Sequence, residues 1–147
     1  AQIAGSVGLA GSANIGAGFA MFEAIHGSAP RRAGQNVANP SGLLLGAVQM
    51  LIHINQAPIA EKVHNAWLKT LEDGIHTYDV YDEGTSKQKV GTKEFAQAVI
   101  ARLGQKPSKL KAVDYSKAVG KTIEVKLKPT PESKKELVGI DVFVSFK

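Results

Sequence analysis

Phe22-Glu23-Ala24-Ile25-His26-Gly27-Ser28-Ala29-Pro30-Arg31-Arg32-Ala33-Gly34-Gln35-Asn36-Val37-Ala38-Asn39-Pro40 carries the strongest structural signal of the chain. Gly27, Pro30, Gly34 and Pro40 deny the backbone a regular helix or ladder, which predicts an irregular loop of about fifteen residues. Loops of that length inside a compact domain are uncommon and usually functional. Gly27, Ser28 and Ala29 are small enough for backbone N–H groups to approach a ligand closely, and Arg31 and Arg32 follow at once. Donors plus fixed positive charge describe an anion site, with phosphate the favoured ligand class.

The rest of the chain bounds what that loop can belong to. At 147 residues a single domain is the default, and such a chain buries roughly two thirds of its unfolded surface. An apolar fraction of 44% with 21% charged residues is globular, not disordered. No window approaches the ~20 apolar residues of a membrane span, so no membrane partner is expected. The first residues lack the charged start and cleavage site of a signal peptide. Zero cysteines exclude disulfides and thiolate metal sites and fit a reducing, cytoplasmic setting. The net charge of +5 is uneven: residues 1–107 hold 9 basic and 8 acidic groups, residues 108–147 hold 9 and 5. Basicity therefore belongs to the tail, and the global charge says nothing about the loop.

Working outward, Ala1 to Gly8 reads as the end of a helix that began earlier, running out at Gly5 or Gly8. The glycines from Gly5 to Gly18 predict an irregular, tightly packed stretch, and Gly18 to Ile25 a buried strand. After the loop, Ser41 is the candidate N-cap of a helix carrying Leu43, Leu44, Ala47, Met50, Leu51 and Ile54, a stripe wide enough to be buried on more than one side. Pro58 opens a second helix with Ile59, Val63, Trp67 and Leu71 on one face and a stop at Gly74. Ile75 to Tyr81 alternates as a short strand, and Asp82 to Gln88 is a polar loop. A third helix opens with Thr92 as N-cap and Glu94 in its first turn, and buries Phe95, Val99 and Leu103 before Gly104. Beyond Ser108 the composition turns basic. Val138, Ile140, Val142, Val144 and Phe146 share one parity, which predicts a half-buried strand. A lone strand is marginal, so it either docks on the first unit or belongs to a sheet not contained here.

Eleven positions of the loop carry a resemblance: Phe22, Glu23, His26, Gly27, Ser28, Ala29, Pro30, Ala33, Gly34, Asn39 and Pro40. Their spacing resembles the adenosine-phosphate loop of the β-decarboxylating dehydrogenases, the isocitrate and 3-isopropylmalate dehydrogenase family. Ser12-Ala13-Asn14 and Gly16 resemble a second element of that family. It is not a Rossmann signature, since no Gly-x-Gly-x-x-Gly opens a helix. The fold class implied is α/β, helices packed on a β-sheet as part of an isocitrate/isopropylmalate dehydrogenase-like fold, followed by a truncated α+β tail. The implied organisation is a C-terminal part of the large domain over 1–107, a basic linker over 108–136, and over 137–147 the first strand of a truncated C-terminal domain. That last segment is similar to the extra domain of some long bacterial members.

The resemblance gives residues roles. His26 would pack near adenine and ribose, Gly27, Ser28, Ala29 and Pro30 would line the phosphates, and Asn39 would bond the adenine edge. Arg31 and Arg32 stand where members using the non-phosphorylated cofactor carry an acidic residue first. Guanidinium forks bind a 2′-phosphate that a carboxylate repels, so the pair implies NADP. Tyr78 matches a further 2′-phosphate contact, whereas Asp82 replaces an arginine often found in NADP-dependent members. The implied reaction of the complete enzyme is NADP-dependent oxidation and decarboxylation of isocitrate to 2-oxoglutarate, assisted by Mg²⁺ or Mn²⁺. The metal ligands, substrate arginines, catalytic tyrosine and catalytic lysine of the family have no counterpart here and are expected upstream of Ala1. The family works as a homodimer, and the Leu43–Ile54 helix is the candidate interface element.

Other readings stay beside this one. A related dehydrogenase acting on isopropylmalate or a tartrate-like acid would share the loop. A non-catalytic module with an RNA-contacting basic tail would need exposed stacking aromatics, and Tyr115 is thin support, so no nucleic-acid partner is expected. His53, His64 and His76 read as structural, with no His-Glu-x-x-His present. Glu72, Asp73, Asp79, Asp82 and Glu83 read as a solvated acidic surface, and no elbow motif makes Ser6, Ser12 or Ser28 a nucleophile.

Overall fold

A computed structural model describes residues 6–118, 128–129, 133–134 and 136–145. After a 3₁₀ turn at Val7–Leu9, capped by the Ser6 hydroxyl, come two antiparallel strands, β1 (Gly11–Ile15) and β2 (Ala20–Ala24). They pair from Gly11↔Ala24 to Ile15↔Ala20. Three helices follow, α1 (Ser41–His53), α2 (Ala57–Glu72) and α3 (Thr92–Ile100). Between α2 and α3 the two-residue strands β3 (Ile75–His76) and β4 (Gln88–Lys89) pair in parallel. The class is α/β as expected, with the sheet present as two separate ladders among the described residues. None of the described helices is long and apolar enough to cross a membrane.

The β1–β2 hairpin lies on α1 backbone to backbone. A Cβ on Gly11 would stand 2.7 Å from the Gly46 nitrogen, and one on Gly42 would stand 2.7 Å from the Ala10 carbonyl oxygen. Only glycine permits that approach. It also divides the stripe expected on the first helix, of which Leu44, Ala47 and Leu51 are half-buried. The small face of α1, Ser41, Gly42, Gly46 and Val48, is buried, whereas Leu43, Met50 and Ile54 are exposed. The stretch expected to be irregular contains β1. β2 in turn is half covered and not buried: Met21 and Glu23 face outward because one side of the hairpin alone meets α1.

Ala66, Trp67, Phe95 and Val99 form the core between α2 and α3, with Leu44, Leu45, Leu68, Leu71 and Val90 packed around them. Trp67 donates its indole N–H to the wholly buried Ser41 hydroxyl at 2.8 Å. Ser41 is therefore not an N-cap. It is the first residue of α1, and its backbone N–H is accepted by Asn39 Oδ1 at 3.0 Å. Thr92 is likewise the first residue of α3, with Gly91 in the cap position. Gly104, expected to stop α3, lies four residues past its end at Ile100, whereas Pro58, Gly74 and Glu94 fall where the sequence places them. Ile59 and Leu103 do not. Both stand exposed, because Ala60, Ala66, Trp67 and Thr70 carry the buried face of α2, and α3 ends at Ile100. The strand expected over 75–81 stops at His76, and the chain turns instead, with Val80 N–H bonded to the Thr77 carbonyl at 3.2 Å.

The segment expected as a free linker is docked at its start. Glu72 accepts backbone N–H groups of Ser108 and Leu110 at 2.8 and 2.9 Å, and these bonds hold its carboxyl far below the ordinary range. Asn65 and Val113 exchange two bonds of 3.0 and 2.9 Å. Tyr115 bonds His64 Nδ1 at 2.6 Å, and burial pushes that imidazole below its usual value and the phenol above its own. One face of α2 thus pins residues 108–115. Farther on, no strand forms over 136–145: Val138, Ile140, Val142 and Val144 are exposed, with no ladder partner among the described residues. The helix end expected over Ala1–Gly8 and the alternation at Ile123, Val125 and Leu127 fall largely or wholly outside the described residues.

Candidate functional site

The loop after β2 reaches α1 through one short 3₁₀ turn, Pro30–Arg32. Together with the turn after β3 and the start of α3, it encloses a pocket of about 750 Å³. His26, Gly27, Ser28, Ala29, Arg32, Asn39 and Tyr78 all line it, so seven of the nine residues singled out from the sequence converge on one space. Among the described residues, the backbone N–H groups of Gly27, Ser28 and Ala29 donate to no protein acceptor. Ala29 sits in left-handed backbone at φ 43°, which turns the chain sharply into the 3₁₀ segment. His26 contacts its own turn, with Nδ1 3.0 Å from the Gly27 carbonyl oxygen.

The two arginines part company. Arg32 lies in the pocket, its guanidinium carbon 5.3 Å from the centre of the Tyr78 ring and its Nη1 donating to the Tyr78 hydroxyl. Arg31 and Pro30 do not line the pocket. The reason is geometric: a 3₁₀ turn advances about 120° per residue, so neighbouring side chains diverge and cannot share one cleft. Arg31 contributes its carbonyl oxygen instead, which accepts Gln35 Nε2 at 2.7 Å. The second fixed cation on the pocket wall is Lys93, from the first turn of α3.

Asp79 is not part of a solvated acidic surface. It accepts the hydroxyl protons of Ser6 and Thr77 and an N–H of Asn39 at 3.0 Å. Burial alone would push this carboxyl up, but those three donors outweigh it and hold the pKa below the ordinary carboxylate range. Asn39 is consequently locked, since its oxygen holds the start of α1 and its nitrogen holds Asp79. Asp82 stays outside the pocket wall, using Oδ1 to accept Gly84 N–H at 3.0 Å. Glu72 and Asp73 are also engaged, the latter 2.8 Å from both Lys69 and Arg102.

Asn36 escapes a sequence reading. Its backbone is left-handed at φ 55°, and it bonds three successive residues of α3. Asparagine's tolerance of that conformation was the available signal, but its partners are remote in sequence. Among the described residues no three His, Asp or Glu side chains converge as a metal site.

Backbone donors that meet no acceptor among the described residues, a guanidinium over a phenol ring and the Lys93 ammonium thus line one pocket on an α/β scaffold. The chain belongs to the isocitrate/isopropylmalate dehydrogenase family, whose pattern matches residues 1–99. It is 57% identical over 145 residues to isocitrate dehydrogenase (NADP) of Rickettsia bellii, covering 98% of this chain and 30% of that protein. It is 46% identical over 102 residues to 3-isopropylmalate dehydrogenase of Methanothermobacter thermautotrophicus, covering 69% of this chain and 29% of that protein. The fold is similar to that of isocitrate dehydrogenase from Methylococcus capsulatus, with TM-score 0.64 and 37% identity over 71% of this chain and 30% of that one. The chain thus spans about a third of the length of the curated relatives it matches.

Proposed function

We propose that this chain is the dinucleotide-phosphate-binding part of an NADP-dependent isocitrate dehydrogenase, which oxidises and decarboxylates isocitrate to 2-oxoglutarate. The observation that carries the reading is the Arg32–Tyr78 pair inside the pocket, beside the N–H groups of Gly27, Ser28 and Ala29 that meet no acceptor among the described residues. In this reading the guanidinium and phenol take the 2′-phosphate, the loop N–H groups take the diphosphate side, and His26 packs on adenosine. Pro30 shapes the turn, and Asn39 fixes the floor through its backbone. Bound NADP supplies the hydride acceptor; the residues of this chain position its adenosine end. Arg31, outside the pocket, adds only long-range positive potential. Alignment along nearly the whole chain with the isocitrate enzyme of Rickettsia, against two thirds of it with the isopropylmalate enzyme, favours isocitrate over a related 2-hydroxy acid.

The described residues supply no ligand set for Mg²⁺ or Mn²⁺, so the metal of the complete enzyme would be held by other segments. A cytoplasmic homodimer belongs to the same proposal, and the exposed Leu43, Met50 and Ile54 of α1 are the surface we assign to its interface. The RNA-contacting alternative is weakened because Tyr115 packs on His64, with ring centres 5.9 Å apart, and is not free to stack on bases. The test is isocitrate-dependent reduction of NADP⁺ and NAD⁺ by the full-length protein. Strong preference for NADP⁺ is expected; equal use of both, or no isocitrate-dependent turnover, would overturn the reading.

A further inference from the structure

We propose that Asn36 is a latch that fastens the distal limb of the dinucleotide loop to the N-terminus of α3 and so sets the position of the pocket wall. This rests on the reading of the pocket as an NADP site. A helix begins with backbone N–H groups that need external acceptors, usually supplied by a side chain at its own N-cap. The N-cap of α3 is Gly91, which has none to offer. The acceptors come instead from Asn36, far away in sequence. Its carbonyl oxygen accepts Thr92 N–H at 3.1 Å, and its Oδ1 accepts Lys93 N–H at 2.9 Å. Its amide nitrogen then donates to Glu94 Oε2 at 2.8 Å, which fixes the amide orientation. Thr92 returns a bond of 2.5 Å from its hydroxyl to the Ala38 carbonyl oxygen.

Glycine at position 91 is what makes room. A Cβ there would stand 2.4 Å from Asn36 Nδ2 and 2.5 Å from the Asn36 carbonyl oxygen. Asn36, Val37, Ala38, Thr92 and Lys93 all line the pocket, so the latch places two of its walls in a fixed relation. At the far end of this short limb Asn39 is held by Asp79. The limb between the two asparagines is therefore clamped at both ends, and Lys93 is carried to the pocket by the same contact.

A residue that merely caps α3 and one that positions the loop are separable by experiment in the full-length protein. Gly91→Ser gives α3 its own N-cap hydroxyl while its Cβ displaces Asn36. The expected result is an unfolding temperature near that of the parent, with the KM for NADP raised about tenfold and kcat changed less than about twofold. Asn36→Ala is expected to lower both affinity and stability. Asn36→Asp with Glu94→Gln reverses the donor and acceptor of the side-chain bond and is expected to restore NADP affinity to within about threefold of the parent. The proposal is overturned if Gly91→Ser leaves the KM for NADP unchanged, or if the paired exchange restores stability without affinity. Calorimetry of the parent with adenosine 2′,5′-bisphosphate separates the two levels. Binding that Arg32→Ala weakens but the Asn36 variants do not sinks the latch alone; no binding by the parent sinks the NADP reading with it.

Discussion

Replacing Arg32 by alanine is the perturbation with the most specific expected outcome. The Arg32 side chain is the one guanidinium on the pocket wall, braced by the Tyr78 ring at 5.3 Å and by the bond to its hydroxyl. A hydrogen bond to a charged partner is worth about 1.5–3 kcal/mol. Arg32 is solvent-exposed, so screening places the effect at the low end, about 1.5–2 kcal/mol. That corresponds to roughly a ten- to thirtyfold loss of NADP affinity, since about 1.4 kcal/mol is tenfold. NAD lacks the 2′-phosphate, and its affinity is expected to change by less than about threefold. Arg31→Ala should leave the NADP-to-NAD ratio within about threefold of the parent, because its side chain is turned away by the 3₁₀ geometry. Tyr78→Phe removes the hydroxyl that accepts the Arg32 bond but keeps the ring beneath the guanidinium, for a loss of about two- to tenfold. The assay is kcat/KM for both cofactors at fixed isocitrate in the full-length enzyme. A larger effect from Arg31→Ala than from Arg32→Ala, or equal losses for NADP and NAD, would refute the reasoning.

Further outcomes follow from the core and its anchors. Phe95→Ala empties a fully buried site and is expected to cost about 3–5 kcal/mol, read as a lowered urea midpoint. Trp67→Phe strands the buried Ser41 hydroxyl and is expected to cost about 1–3 kcal/mol by the same measure. Asp79 has a folded-state pKa below its unfolded one, so its contribution is full above about pH 4 and is lost as pH falls through the folded value. Asp79→Asn should flatten that acid limb of stability, and an unchanged pH profile would contradict the assignment. Glu72→Ala removes the acceptor for the Ser108 and Leu110 N–H groups, and trypsin is expected to cut at Lys109 and Lys111 several times faster.

What the sequence discloses depends on whether the cause is local. The Phe22–Pro40 loop was legible because glycine and proline act on their own backbone, and the stop of α2 at Gly74 for the same reason. The hairpin was not, because Gly11 to Ile15 carries small residues chosen for contact with α1 and not for a strand pattern. Leu43, Met50 and Ile54 share a stripe with Leu44, Ala47 and Leu51, but the helix meets the hairpin through glycine, and these three are left exposed while the others are half-buried. Two adjacent arginines look equivalent on paper; the tight turn they share sends them to different sides. Asn36, Asp79 and Glu72 act on residues dozens of positions away, and no spacing rule announces that.

The most direct measurement is a crystal structure of the full-length protein with NADP. It should show the 2′-phosphate within hydrogen-bonding distance of the Arg32 guanidinium and the Tyr78 hydroxyl, with the diphosphate against the Gly27–Ala29 backbone. A phosphate seated on Arg31, or NADP bound away from this pocket with Arg32 facing solvent, would contradict the account.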